Sequence, residues 1–200
     1  TLKLSLGTVI FGTGVGIILG SIAGYFGGWV DNLIMRILDI ISAIPGILMA
    51  ICISAVLGSG LIPTIFALGV GGIPGAARII RAQMISVREQ EFVEAATSIN
   101  AGKIRIIAKH DFPNSMSPLI VSASMSLANA IIAASSLSFI GLGVQPPNPE
   151  WGALLSAGRS QIRDYPHLVM IPGIVIMLTV LAFNMLGDGL RDALDPKLKK

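Results

Sequence analysis

Charge is what this sequence lacks most. Its 200 residues carry 14 Lys and Arg and 11 Asp and Glu, a 12% share. That is about half the share of an ordinary soluble domain. The basic residues come with acids and no aromatics interleave them, which excludes a nucleic-acid-binding surface. Cysteine is almost absent: Cys52 stands alone in an apolar run, so no disulfide framework and no thiolate metal set can be built. The two histidines, His110 and His167, have no partner at metal-ligand spacing. No GxxxxGK[ST] stretch occurs, so ATP is not bound by a phosphate loop in this chain. No nucleophile–base pair lies within reach by spacing, and the chain is not read as an enzyme.

Apolar side chains and helix-tolerant small residues are what the sequence has instead. It is 53% hydrophobic with 23 Gly and 11 Pro, and its mean hydropathy is +0.80. Membrane helices tolerate both of those residue types. Five apolar runs are long enough to be spans: Leu4–Tyr25, about Leu33–Leu57, Leu61 to about Ala77, Leu119 to about Ile140, and Leu168–Leu186. The fold class expected is an all-α polytopic membrane protein. The opening TLKLSL lacks an initiator Met and already enters an apolar run, which reads as a chain missing its N-terminus and not as a signal peptide.

Within the spans, small and polar residues are patterned. Gly12, Gly16, Gly20 and Gly24 form a ladder on one helix face, suited to close packing inside the subunit or between subunits. Arg36 and Asp39, three residues apart, are expected to pair. Pro45 is expected to kink the second span. The third is interrupted by Pro63, Gly69, Gly71, Gly72 and Pro74, and reads as bending into the loop that follows. In the fourth, Ser122, Ser126, Asn129, Ala133 and Ser136 share one face. Such a stripe is either a helix–helix contact or the wall of a wet path. Trp151–Arg163, after three prolines, suits a short amphipathic helix at the interface.

The remaining charge is concentrated. Residues 78–114 hold six of the 14 Lys and Arg and four of the 11 Asp and Glu. With that loop cytoplasmic, five spans place eleven Lys and Arg inside and three outside, which puts the C-terminus inside as well. Helical spacing around Phe92, Ala95, Ala96 and Ile99, ended by Asn100 and Gly102, then resumed from Lys103 to His110 and stopped by Pro113, reads as a helical hairpin. Its apolar side packs on the chain's own helices or docks a soluble partner.

That loop resembles the EAA motif of ABC-importer permeases. Glu94-Ala95-Ala96 is followed at the motif's spacing by Asn100 in the glycine position, and by His110 and Phe112-Pro113. His110-Asp111-Phe112-Pro113-Asn114 is similar to the dipeptide/oligopeptide/nickel subfamily. So are AGYFGGWVDNLIMR at 23–36, LSFIGLGVQPP at 137–147 and LAFNMLGDGLRDALDP at 181–196. The resemblance covers nearly the whole chain and is closest to the second, C-type permease subunit without its first span.

The resemblance implies a type I importer transmembrane domain over 1–200, with a cytoplasmic coupling loop at 78–114 and an external loop at 141–167. It implies coupling roles for Glu94, Ala95, Ala96, Asn100, Gly102, Arg105, His110 and Pro113. Ser122, Ser126, Asn129 and Ser136 are the pathway-lining candidates. The partners it implies are a second homologous permease, two cytoplasmic ATPase subunits that use ATP and Mg, an external solute-binding lipoprotein and the lipid of the inner membrane. No cofactor and no metal is expected in this chain itself. The alternatives are an ion-coupled secondary transporter and a non-transporting structural subunit. The charged internal hairpin discriminates, because an ATPase-driven importer needs one and an ion-coupled carrier does not.

Overall fold

A computed structural model describes residues 1–88, 90 and 112–194. Its long helices are α1 (Leu2–Phe26), α4 (Leu61–Arg88), α5 (Phe112–Phe139) and α7 (His167–Leu194). Each is long and apolar enough to cross a membrane. Between α1 and α4 lie α2 (Gly28–Ala43) and α3 (Gly46–Leu57), bent against each other by 87°. Between α5 and α7 lies the short α6 (Trp151–Gly158), followed by one 3-10 turn, Arg159–Gln161.

The glycine ladder explains the central pair. A methyl on Gly12 would come within 2.7 Å of the Gly69 carbonyl oxygen, and one on Gly24 within 2.8 Å of Met84 Cβ. One on Gly20 would overlap the Ala77 carbonyl. All four ladder glycines therefore lie against α4, and the ladder is an internal packing seam. Gly69 returns the favour to the Phe11 ring, which a methyl there would meet at 2.5 Å. The contacts advance together along both helices, so α1 and α4 run parallel.

Parallel α1 and α4 require the chain to return between them, and α2 and α3 do so together. Leu38 of α2 is buried with Ile73 and Ala77 of α4. Ala50 of α3 is buried with Ala67. The pair thus descends α4 from one end to the other as a single bent crossing, and five crossings result. The expected kink at Pro45 is a full break: Ile44, before the proline, is extended at φ −89°, ψ 127°.

Other elements differ from expectation. The third span is not interrupted but runs on to Arg88 with Pro74 inside it, while Pro63 sits in the first turn, where no helical donor is needed. Pro113 lies near the start of α5, the Lys103–His110 stretch it is expected to stop lies outside the described residues, and Pro118 lies within α5. The last span continues past Leu186 to Leu194, and the Trp151–Arg163 helix ends at Gly158. Asp39 does not pair with Arg36. It meets Arg78 of α4 at 2.9 Å.

Two polar clusters mark opposite ends of the bundle. At one, Thr1 Oγ1 donates to Glu150 Oε1 at 2.6 Å and accepts from the Trp151 amide at 3.0 Å. Glu150 Oε2 also caps α6 by accepting from the Ala153 amide at 2.9 Å. At the other end, Asp31 and Asp39 of α2 meet Arg81 and Arg78 of α4.

Candidate functional site

A cavity of about 460 Å³ opens between α1, α3, α4 and α5. The wall from α5 includes Ser122, Ser126 and Asn129, spaced to share one face of that helix. Facing them are Thr8 and Thr13 of α1 and the small residues Gly71, Gly72 and Gly75 of α4. Gly46 and Ile47, the first residues after the break, close the remaining side. Among the described residues no Asp, Glu, Lys, Arg or His lines the cavity.

The lining is polar without being charged, and its hydrogen bonds are unevenly satisfied. Ser126 Oγ donates to the Ser122 carbonyl at 2.8 Å, a bond made inside α5 itself. The Asn129 carboxamide is exposed and has no hydrogen-bond partner among the described residues. Asn129 lies at the middle of the apolar stretch Pro118–Phe139. Facing hydrocarbon there, an amide without partners would cost about 4–8 kcal/mol. That penalty is comparable to the whole stability of many folded domains, so this face is built to meet water or protein, not lipid.

Three of the four pathway-lining candidates, and Ala133 of the same stripe, therefore come together on the cavity. Ser136 is also exposed but lies outside the lining. Ser124 and Ser138, on other faces of α5, are buried in packing instead. Ser138 Oγ accepts from the Val144 amide at 3.2 Å and fixes the turn after α5. Thr8, Thr13, Gly46 and Ile47 were not singled out from sequence. The Pro45-Gly46 pair inside an apolar run was the available signal for the last two.

The coupling candidates Glu94, Ala95, Ala96, Asn100, Gly102, Arg105 and His110 lie outside the described residues. Pro113 falls within α5, and its side chain is likewise outside. The nearest described features are the two ion pairs at this end. Arg81 engages Asp31 through Nε and Nη2 on both carboxylate oxygens. Arg78 Nη2 donates to Asp39 Oδ1 at 2.9 Å and to Ser42 Oγ at 3.0 Å. Among the described residues no group of three or more His, Cys, Asp or Glu is placed to hold a metal.

Comparison with known proteins places this arrangement. The profile of the family described as "Binding-protein-dependent transport system inner membrane component" matches residues 16–200. The glutathione transport system permease protein GsiD of Pectobacterium atrosepticum is 46% identical over 199 residues, covering 100% of this chain and 66% of that protein. The GsiD protein of Escherichia coli is 48% identical over 201 residues, covering 98% of this chain and 66% of its own length. The chain thus spans just under two thirds of these relatives. An inward-facing MetNI methionine ABC transporter shares the fold with a TM-score of 0.69 at 18% identity, covering 97% of this chain and 94% of that one. An amino acid ABC transporter does so with a TM-score of 0.67 at 16% identity, covering 96% and 89%.

Proposed function

The chain belongs to the family of binding-protein-dependent transport system inner membrane components, and on that footing we propose that it is a permease subunit forming half of the passage of an ATP-driven importer. It is a multi-pass inner-membrane protein. The observation that carries the proposal is the cavity at mid-membrane depth with the unpartnered Asn129 on its open side. A half-passage completed by a second permease subunit gives that face both of the things it suits, water and protein.

The neutral lining supports a solute handled through hydroxyl and amide hydrogen bonds without a counter-charge from this subunit. Peptide-like solutes fit that chemistry, and the relatives named for glutathione transport make glutathione the first to try. Two cytoplasmic ATPase subunits supply the work, taking ATP and Mg themselves, and an external binding protein delivers the solute. The loop at 78–114 docks the ATPase through Glu94, Ala95, Ala96 and Asn100, and residues 141–167 face outward. The structure's two polar ends support that sidedness. The Arg78 and Arg81 end continues into the loop, and the Thr1 and Glu150 end carries the opposite segment.

The test is reconstitution of the full permease pair, ATPases and binding protein in proteoliposomes. Uptake of radiolabelled glutathione is expected to need both ATP and the binding protein. Uptake driven by an ion gradient without ATP would contradict the proposal and favour a secondary transporter.

A further inference from the structure

Resting on the reading of 78–114 as the ATPase-docking loop, we propose that α2 is a strap tying the cavity wall to the helix the ATPase moves, with Asp31–Arg81 and Asp39–Arg78 as its pins. Both acids come from α2 and both arginines from α4, at the end where α4 runs on toward the loop. Arg78 and Arg81 lie about 26 and 30 Å along α4 from Leu61. That is the edge of a hydrocarbon layer roughly 30 Å thick. At this depth an unpaired charge is costly, so the partly buried Asp31–Arg81 pair holds more firmly than a pair in open water, and the half-exposed Asp39–Arg78 pair is the weaker pin. The Asp31 side chain is only 15% exposed. Its two oxygens take both donors of the Arg81 fork, a geometry that fixes direction as well as distance.

The strap is jointed at both ends. Gly27 and Gly28 enter α2 at φ 63° and 55°, and nothing lies within 4 Å of a methyl built on either. At the far end the chain turns 87° between α2 and α3. Neither joint holds α2 in place by itself. The pins do, together with Leu38 buried against Ile73 and Ala77, in a cluster where Ile34, Met35 and Ile41 of α2 also join Phe11, Val15 and Leu19 of α1. Beyond the far joint come Gly46 and Ile47, which wall the cavity. A shift at the loop end of α4 therefore has a route through the pins to α2 and on to that wall, beside the direct packing of Ala67 on Ala50 of α3. The opposite wall, on α5, is not tied by these pins.

The two walls give separate readouts. Single reporters Ile47→Cys and Ser126→Cys are placed in the full permease with Cys52→Ser, and assembled with its ATPases. Reaction with a hydrophilic thiol reagent is timed with and without a non-hydrolysable ATP analogue. With the strap intact the analogue is expected to change both rates about five-fold or more. Asp31→Arg or Arg81→Asp should diminish the response of Ile47→Cys and leave that of Ser126→Cys. The double swap should restore it. The milder Asp31→Asn and Arg81→Gln should give the same split, and they decide if a reversed charge prevents assembly. An Ile47→Cys response undiminished in these variants overturns the strap. So does a simultaneous loss at Ser126→Cys, because the variants would then have cut α4 from the ATPase. Glu94→Lys tests the loop separately. It should silence both reporters, and if both still respond the loop reading fails while the Asp31 and Arg81 variants still judge the strap.

Discussion

Gly20→Leu tests the seam on which the five crossings hang. A Cβ there overlaps the Ala77 carbonyl oxygen and stands 3.0 Å from Ala77 Cα and 3.1 Å from its carbonyl carbon. These are backbone atoms of a buried helix and cannot rotate aside, so α1 must back away. One turn to either side, methyls on Gly16 and Gly24 would already stand 3.0 Å from the carbonyls of Ile73 and Arg81. Retreat at Gly20 therefore loosens the seam over three turns. Overpacking of this kind costs about 1–3 kcal/mol, of which helix propensity returns under about 1 kcal/mol. With that return subtracted, and at roughly 3 °C per kcal/mol for a chain of this size, the melting temperature of the purified transporter should fall by up to about 6 °C. Gly14→Leu is the control, since nothing lies within 4 Å of its Cβ. It should melt at or slightly above the wild-type temperature. Equal melting of the two variants would refute the seam.

Three further outcomes are expected. Glu94→Lys should insert and assemble normally but hydrolyse ATP without uptake; unchanged ATP-driven uptake would remove Glu94 from the coupling role. Glu150→Ala removes the α6 cap and the Thr1 bond, at a cost of about 1 kcal/mol. Amide hydrogen exchange at residues 151–154 should then speed up roughly five-fold, and an unchanged rate would show that α6 does not depend on the carboxylate. Asn129→Leu should insert at wild-type levels yet lower uptake, because the open face loses its mid-span carboxamide; wild-type uptake would show that the amide has no part in passage.

Much of this fold was legible from local pattern. Four glycines at every fourth position identified a packing face, and the Ser122–Asn129 stripe identified a polar one, because helical period alone determines which residues share a side. What remained hidden depended on partners distant in sequence. Ile44 and Ile73 both precede a proline and bear the same steric bias against helix. Ile73 stays helical because Leu38 and Ala77 bury it and its carbonyl lies against Gly16. Ile44 is exposed, is followed by Pro45-Gly46, and yields. The break therefore falls in the second span and not the third, and it carries Gly46 and Ile47 to the cavity. Asp39 likewise had Arg36 three residues away, yet the fold offers it Arg78, which also reaches Ser42. No spacing rule within one helix anticipates a partner 39 residues on.

The claim that this chain forms half of an alternating passage is tested most directly at Asn129→Cys, on a Cys52→Ser background in the assembled transporter. A membrane-impermeant thiol reagent is applied from one side or the other, with and without a non-hydrolysable ATP analogue. Reaction is expected from the cytoplasmic side in one state and from the external side in the other. Protection in both states, or reaction from the same side in both, would contradict it.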